Sequence, residues 1–201
     1  MKYEENIMEI AQLQPDFMGF IFYNKSPRSF KGNLPKIPKN IKKVGVFVNV
    51  GLKQILEKIK KYHLHAVQLH GSESPEFCSA FRNVKPETEI IKVFSIKDTF
   101  DFNELKPYEA VCDYYLFDTK GKNPGGNGYF FNWEVLENYP SSKPYFLSGG
   151  IGLEEIEKLD TFFKSKPARY CVAIDVNSKF ETAPGLKDVR KLNEFYKSLG
   201  L

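Results

Sequence analysis

The sequence predicts an α/β fold, a TIM (β/α)8 barrel lacking its first strand, with seven strands visible in this chain. Three observations carry that expectation. Seven short runs of β-branched and aromatic residues recur along the chain, most of them nearly continuous in apolar residues, as strands covered on both faces are. Single amphipathic or loop stretches separate the runs, which implies repeated right-handed crossovers and a parallel sheet. The chain also opens on a helical pattern with no strand ahead of it. A doubly wound sheet usually takes about five or six such units, whereas a barrel takes eight over roughly 200–250 residues. An eight-fold ring without its opening strand therefore accounts for the count better than a seven-stranded open sheet.

Each element has its own local reason. In Met1 to Leu13, Ile7, Ile10, Ala11 and Leu13 fall on one helical face. The first run, FMGFIFY, covers Phe17 to Tyr23 and hands over to NKSPRSFKGNLPKIPKN, Asn24 to Asn40. Three prolines forbid regular structure there, and so long a loop directly after a strand belongs on the face where barrel active sites form. The second run, Lys43 to Val48, precedes a helix with Ile55, Leu56 and Ile59 on one face. Further runs are His65 to Leu69, Glu89 to Phe94, Tyr114 to Asp118, Pro144 to Ser148 and Tyr170 to Val176. A helix bearing Ile151, Ile156, Leu159, Phe162 and Phe163 on one face joins the last two runs. The final helix carries Val189, Leu192, Phe195 and Tyr196, and Gly200 ends it.

Composition bounds the function. The 201 residues, 42% hydrophobic and 27% charged, suit one soluble globular domain over 1–201. No apolar run approaches the roughly 20 residues that cross a bilayer, and no signal-peptide pattern stands at the front, so neither a membrane partner nor export is expected and the location is cytoplasmic. Cys78, Cys112 and Cys171 form no CxxC pair, which argues against a disulfide framework and a zinc site. The net charge of +4 is spread along the chain with no basic block among stacking aromatics, so no nucleic acid is expected. A small anionic ligand remains compatible.

In a parallel barrel the C-terminal strand ends converge on one pocket, so polar residues there are the first candidates. Arg28, in KSPR, can grip a planar carboxylate through two parallel hydrogen bonds, although surface arginines are common. His70 closes VQLHG; a lone histidine is often structural, and no ligand set at metal spacing accompanies it. Asp118 ends YYLFD beneath the glycine-rich GKNPGGNG. A turn cap would explain an aspartate there, but a carboxyl shielded by so loose a flap is better suited to general acid work. Gly149 and Gly150 follow Ser148 into a helix, a routine turn that also suits phosphate, because backbone N–H groups and the helix N-terminus attract anions. Asp175, Asn177 and Ser178 end the last strand, and phosphate in such barrels often sits between the last two strand ends.

With GFIFYNKSPRSF, VGVFVN, VQLHG, LFDTKGKNPGGNG, LSGGI and AIDVNSKFETAPGLKD in this order, the chain closely resembles the phosphoribosylanthranilate isomerases of tryptophan biosynthesis. The resemblance implies an Amadori rearrangement of N-(5-phosphoribosyl)anthranilate, with no metal or cofactor and a phosphorylated small molecule as the partner, by a monomer or homodimer. It implies that Asp118 is the general acid, that Arg28 binds the anthranilate carboxylate, and that His70 is a pocket residue. Gly149, Gly150, Asp175, Asn177 and Ser178 match the phosphate end, with Asn177 where a serine is usual. Family members open with a strand ending in Cys-Gly, whose thiol is the general base. None of the three cysteines here matches that place, so Met1 is expected to be an internal methionine and the activity of the chain as written to be poor. The alternative is an inactive phospholigand-binding barrel remnant. Related synthases and epimerases would bring catalytic lysines or metal-binding histidines that are absent from these strand ends.

Overall fold

The computed structural model describes residues 1–119 and 132–200. Helix α1, Glu4–Gln12, precedes strand β1, Phe17–Ile21, and an irregular stretch leads to β2, Lys42–Phe47. There follow α2, Leu52–Tyr62; β3, Ala66–Leu69; α3, Pro75–Val84; β4, Glu89–Ile96; β5, Tyr114–Thr119; β6, Tyr145–Leu147; α4, Ile156–Phe163; and β7, Cys171–Ile174. A short antiparallel pair, β8, Glu181–Ala183, and β9, Leu186–Lys187, stands before α5, Val189–Ser198. The crossovers after β4 and β5 carry 3-10 helices, Phe102–Tyr108 and Trp133–Asn138.

Strands β1 to β7 form one sheet in sequence order, every pairing parallel. The sheet curls. Phe17 of β1, Val44 of β2, Ala66 of β3, Ile91 and Val93 of β4, Tyr114 and Leu116 of β5, Phe146 of β6 and Ala173 of β7 share one interior cluster. Phe17 and Phe146 meet with ring centroids 4.9 Å apart, a contact that a flat sheet would forbid between β1 and β6. Among the described residues β1 and β7 are not paired with each other; the outer edge of β1 is met in part by Met1, whose nitrogen donates to the Gly19 carbonyl, and by Phe30, whose N–H donates to the Ile21 carbonyl at 2.8 Å.

The outward face packs against helices through a second, larger cluster that includes the fully buried Phe47, Phe81, Phe117, Tyr115 and Tyr145. Burying each such side chain contributes on the order of 2–3 kcal/mol. Caps set the helix starts: Ser74 accepts from the Phe77 N–H with Pro75 in the first turn, and Asp188 accepts from the N–H groups of Arg190 and Lys191.

The expected strands all form, with ends differing by one or two residues. Two details differ. Phe163, expected on the packed face of its helix, is 46% exposed beside Val172 at 52%, both at the opening between β1 and β7. The β8–β9 pair was not expected, because its two- and three-residue strands are too short for any periodicity to register. The glycine-rich GKNPGGNG stretch lies outside the described residues.

Candidate active site

A cavity of about 580 Å³ opens at the C-terminal strand ends and runs between β1 and β7. Asp118, His70, Gly149, Gly150, Asp175, Asn177 and Ser178 all line it, although they come from four separate strand ends. The curl explains this: Gln68 and His70 lie two apart along one strand direction, as do Leu116 and Asp118, so each pair points inward.

His70 and Asp118 meet inside, with His70 Nε2 3.4 Å from Asp118 Oδ2. The other ring nitrogen, Nδ1, lies 3.1 Å from Gln68 Nε2. Asp118 Oδ1 accepts the Thr119 N–H at 2.9 Å, and the turn that the aspartate was expected to cap lies outside the described residues. Asp175 is half-buried beside Ser148, whose hydroxyl donates to its Oδ2 at 2.8 Å. Burial drives the Asp175 carboxyl above its ordinary value; the Ser148 hydrogen bond opposes this and the neighbouring Asp118 charge adds to it.

Gly149 and Gly150 after β6 line the same cavity as Asn177 and Ser178 after β7. Both glycines have positive φ, 98° and 73°. A Cβ on Gly149 would lie 2.2 Å from Thr119 Oγ1 and 2.7 Å from Thr119 N, directly beside Asp118. Gly149→Ala is expected to lower stability by about 1–3 kcal/mol from backbone strain alone. A melting curve checks it, and an unchanged midpoint would contradict it. The Gly152 N–H is already taken by Glu155 Oε2 at 2.8 Å.

Arg28 does not line the cavity. Its Nε donates to both Glu181 oxygens, at 3.1 and 2.8 Å, and its Nη2 stands 2.7 Å from Oε2. Glu181 also faces Lys187, whose Nζ reaches Asn177 O at 2.9 Å and Asn177 Oδ1 at 2.7 Å. Lys187 lines the cavity and so brings a cation to it. Burial alone would raise the Glu181 carboxyl, but the hydrogen bonds from Arg28 and the charge of Lys187 outweigh it and hold the group below its ordinary 4.5. A carboxyl held lower in the folded state adds stability above its ordinary value and loses that stability as pH falls through the folded one. Glu181→Gln should therefore cost about 1.5–3 kcal/mol at neutral pH. Urea unfolding at a series of pH values should show that gap narrowing below pH 4.5, and a widening gap would contradict it.

Glu181, Lys187 and Gln68 escaped the sequence reading. The first two lie within the DVNSKFETAPGLKD motif, but their meeting depends on the β8–β9 turn. Gln68 was hidden inside an otherwise apolar strand. Burial pushes the thiol of Cys78 up to about 11 and those of Cys112 and Cys171 up to about 12, so none is a ready thiolate near neutral pH. Among the described residues no group of three or more His, Cys, Asp or Glu could hold a metal ion.

A curled parallel sheet whose C-terminal strand ends converge on one acid- and glycine-lined cavity defines the β/α-barrel class of enzymes. Comparison with known proteins narrows it. The family described as N-(5'phosphoribosyl)anthranilate (PRA) isomerase matches residues 1–198. The N-(5'-phosphoribosyl)anthranilate isomerase of Phocaeicola vulgatus is 40% identical over 99% of this chain and 94% of its own length. That of Parabacteroides distasonis is 40% identical over 99% and 90%. The crystal structure of phosphoribosyl anthranilate isomerase from Thermotoga maritima superimposes with a TM-score of 0.81 at 28% identity, covering 100% of this chain and 96% of that one. The chain belongs to the PRA isomerase family.

Proposed function

We propose that this chain converts N-(5-phosphoribosyl)anthranilate to 1-(2-carboxyphenylamino)-1-deoxyribulose 5-phosphate in tryptophan biosynthesis. The observation that carries the reading is the meeting of Asp118, His70, Gly149, Gly150, Asn177 and Ser178 in one cavity of a chain matched by the family over residues 1–198. Asp118 gives its proton to the furanose ring oxygen, and the C–O bond opens to a Schiff base. A base then takes the proton from sugar C2, leaving an enolamine that tautomerises to the ketone. The glycine turn after β6 and the Asn177–Ser178 turn take the phosphate, with Lys187 adding positive charge beside them. Arg28, held by Glu181 through Nε and Nη2 outside the cavity lining, is assigned to the anthranilate carboxylate on the family resemblance.

The same reading places one more parallel strand between β1 and β7 to close the ring. Those two strands face each other across the cavity, and the Met1 nitrogen donates to the Gly19 carbonyl at 3.1 Å, so the chain at residue 1 already runs onto the outer edge of β1. The place of action is the cytoplasm, as a monomer or homodimer. Among the described residues no helix is long and apolar enough to cross a membrane.

A solved relative is described as bound to reduced 1-(o-carboxyphenylamino)-1-deoxyribulose 5-phosphate, and it matches this chain with a TM-score of 0.75 at 27% identity. Calorimetry with that compound tests the site. Binding is expected, weakened by alanine at Arg28 and by Lys187→Met, and its absence would overturn the assignment.

A further inference from the structure

Behind the sheet, on the face away from the cavity, a lysine and a glutamate are sealed together. Lys92 of β4 and Glu73, ahead of α3, have side chains only 4% and 3% exposed, with Lys92 Nζ 3.3 Å from Glu73 Oε2. The ammonium also donates to the carbonyls of Leu69 at 3.3 Å and Gly71 at 2.7 Å. The carboxylate accepts the Asn49 N–H at 2.7 Å and the Gly71 N–H at 2.9 Å. The backbone on both sides of His70 is thus gripped, while the His70 N–H itself is held by the Phe47 carbonyl at 2.8 Å. The fit is tight: a Cβ on Gly71 would lie 2.4 Å from Asn49 Oδ1 and 2.8 Å from Asn49 N.

Stability alone does not account for such a pair, because well-packed apolar replacements of a buried ion pair are often neutral or stabilising. What distinguishes this pair is where its hydrogen bonds go: to the strand ends that carry Asn49 and His70. We propose that Glu73 and Lys92 are positioning residues that fix the backbone at His70, so that its imidazole meets Asp118 across the cavity. The kinetic part of this proposal rests on Asp118 acting as the proton donor; the geometric part does not.

The test is the double variant Glu73→Leu/Lys92→Met, read by ring nitrogen–proton NMR at fixed pH. The chain has 3 histidines, so His63→Asn and His65→Gln assign the His70 signals by difference. Expected are a folded chain with a lowered melting temperature, since backbone groups at Asn49, Leu69 and Gly71 lose their partners, shifted and broadened His70 ring signals, and unmoved His63 and His65 signals. In chain that turns over substrate, kcat should fall by up to about 10²-fold with little change in KM, since small misplacements of a reacting group carry that cost. A folded double variant with parental His70 signals would overturn the proposal. If the double variant does not fold, Glu73→Gln serves in its place, and parental His70 signals in that folded variant would be equally decisive. Asp118→Asn with full turnover would remove the kinetic part and leave the NMR outcome to decide the geometry.

Discussion

Asp118→Asn lowers turnover of N-(5-phosphoribosyl)anthranilate by about 10²- to 10⁴-fold, the usual cost of losing a general acid. The amide keeps the shape of the carboxyl, and its oxygen can still accept the Thr119 N–H that Asp118 Oδ1 accepts at 2.9 Å. That backbone contact at the end of β5 therefore survives. What disappears is the carboxyl oxygen facing His70, the group proposed to give its proton to the sugar ring. Loss of substrate fluorescence measures the rate, and a melting curve confirms the fold. Turnover indistinguishable from that of the parent chain would remove Asp118 from the mechanism.

Adding an apolar strand that ends in Cys-Gly ahead of residue 1 has an effect of similar size and opposite direction. The cavity is continuous with the opening between β1 and β7, where Val172 and Phe163 stand 52% and 46% exposed. A strand seated there would pair with β7 and with the part of the β1 edge that Met1 and Phe30 do not already meet, cover those side chains and deliver a thiol to the cavity. None of the three existing thiols is available, since burial holds each of them protonated near neutral pH. The extended chain should turn over faster than the 201-residue chain by about 10²- to 10⁴-fold. It should also melt higher, and an added strand whose cysteine is replaced by alanine should raise the melting temperature without the rate. Equal rates for the two lengths would refute the idea, and tight binding of the reduced product analogue without turnover by the extended chain would favour an inactive phospholigand binder.

Much of this site was legible in the chain order. Asp118, His70, Gly149 and Asn177 were found because each directly follows an apolar run, and in a parallel sheet every such run ends on the same side. Arg28 was found by the same logic, yet it sits against Glu181, 153 residues away in sequence and outside the cavity lining. No local pattern announces that partner. The Glu73–Lys92 pair was equally hidden, because a charged residue in a strand pattern usually signals a solvated face rather than a sealed one. Phe163 looked like core by spacing alone and is 46% exposed.

The sequence by itself determined the alternation of strands with crossovers, the parallel direction of the sheet and most, but not all, of the polar residues at its C-terminal rim. These follow from hydrophobic period and chain connectivity, both of which are local. Only the tertiary structure decided which carboxylate faces which cation, that the β8–β9 turn brings Lys187 to the cavity, and that β1 and β7 leave their edges apart. Charge pairing and edge pairing depend on distance and on exclusion of water, and both arise only when segments far apart in the chain are folded together.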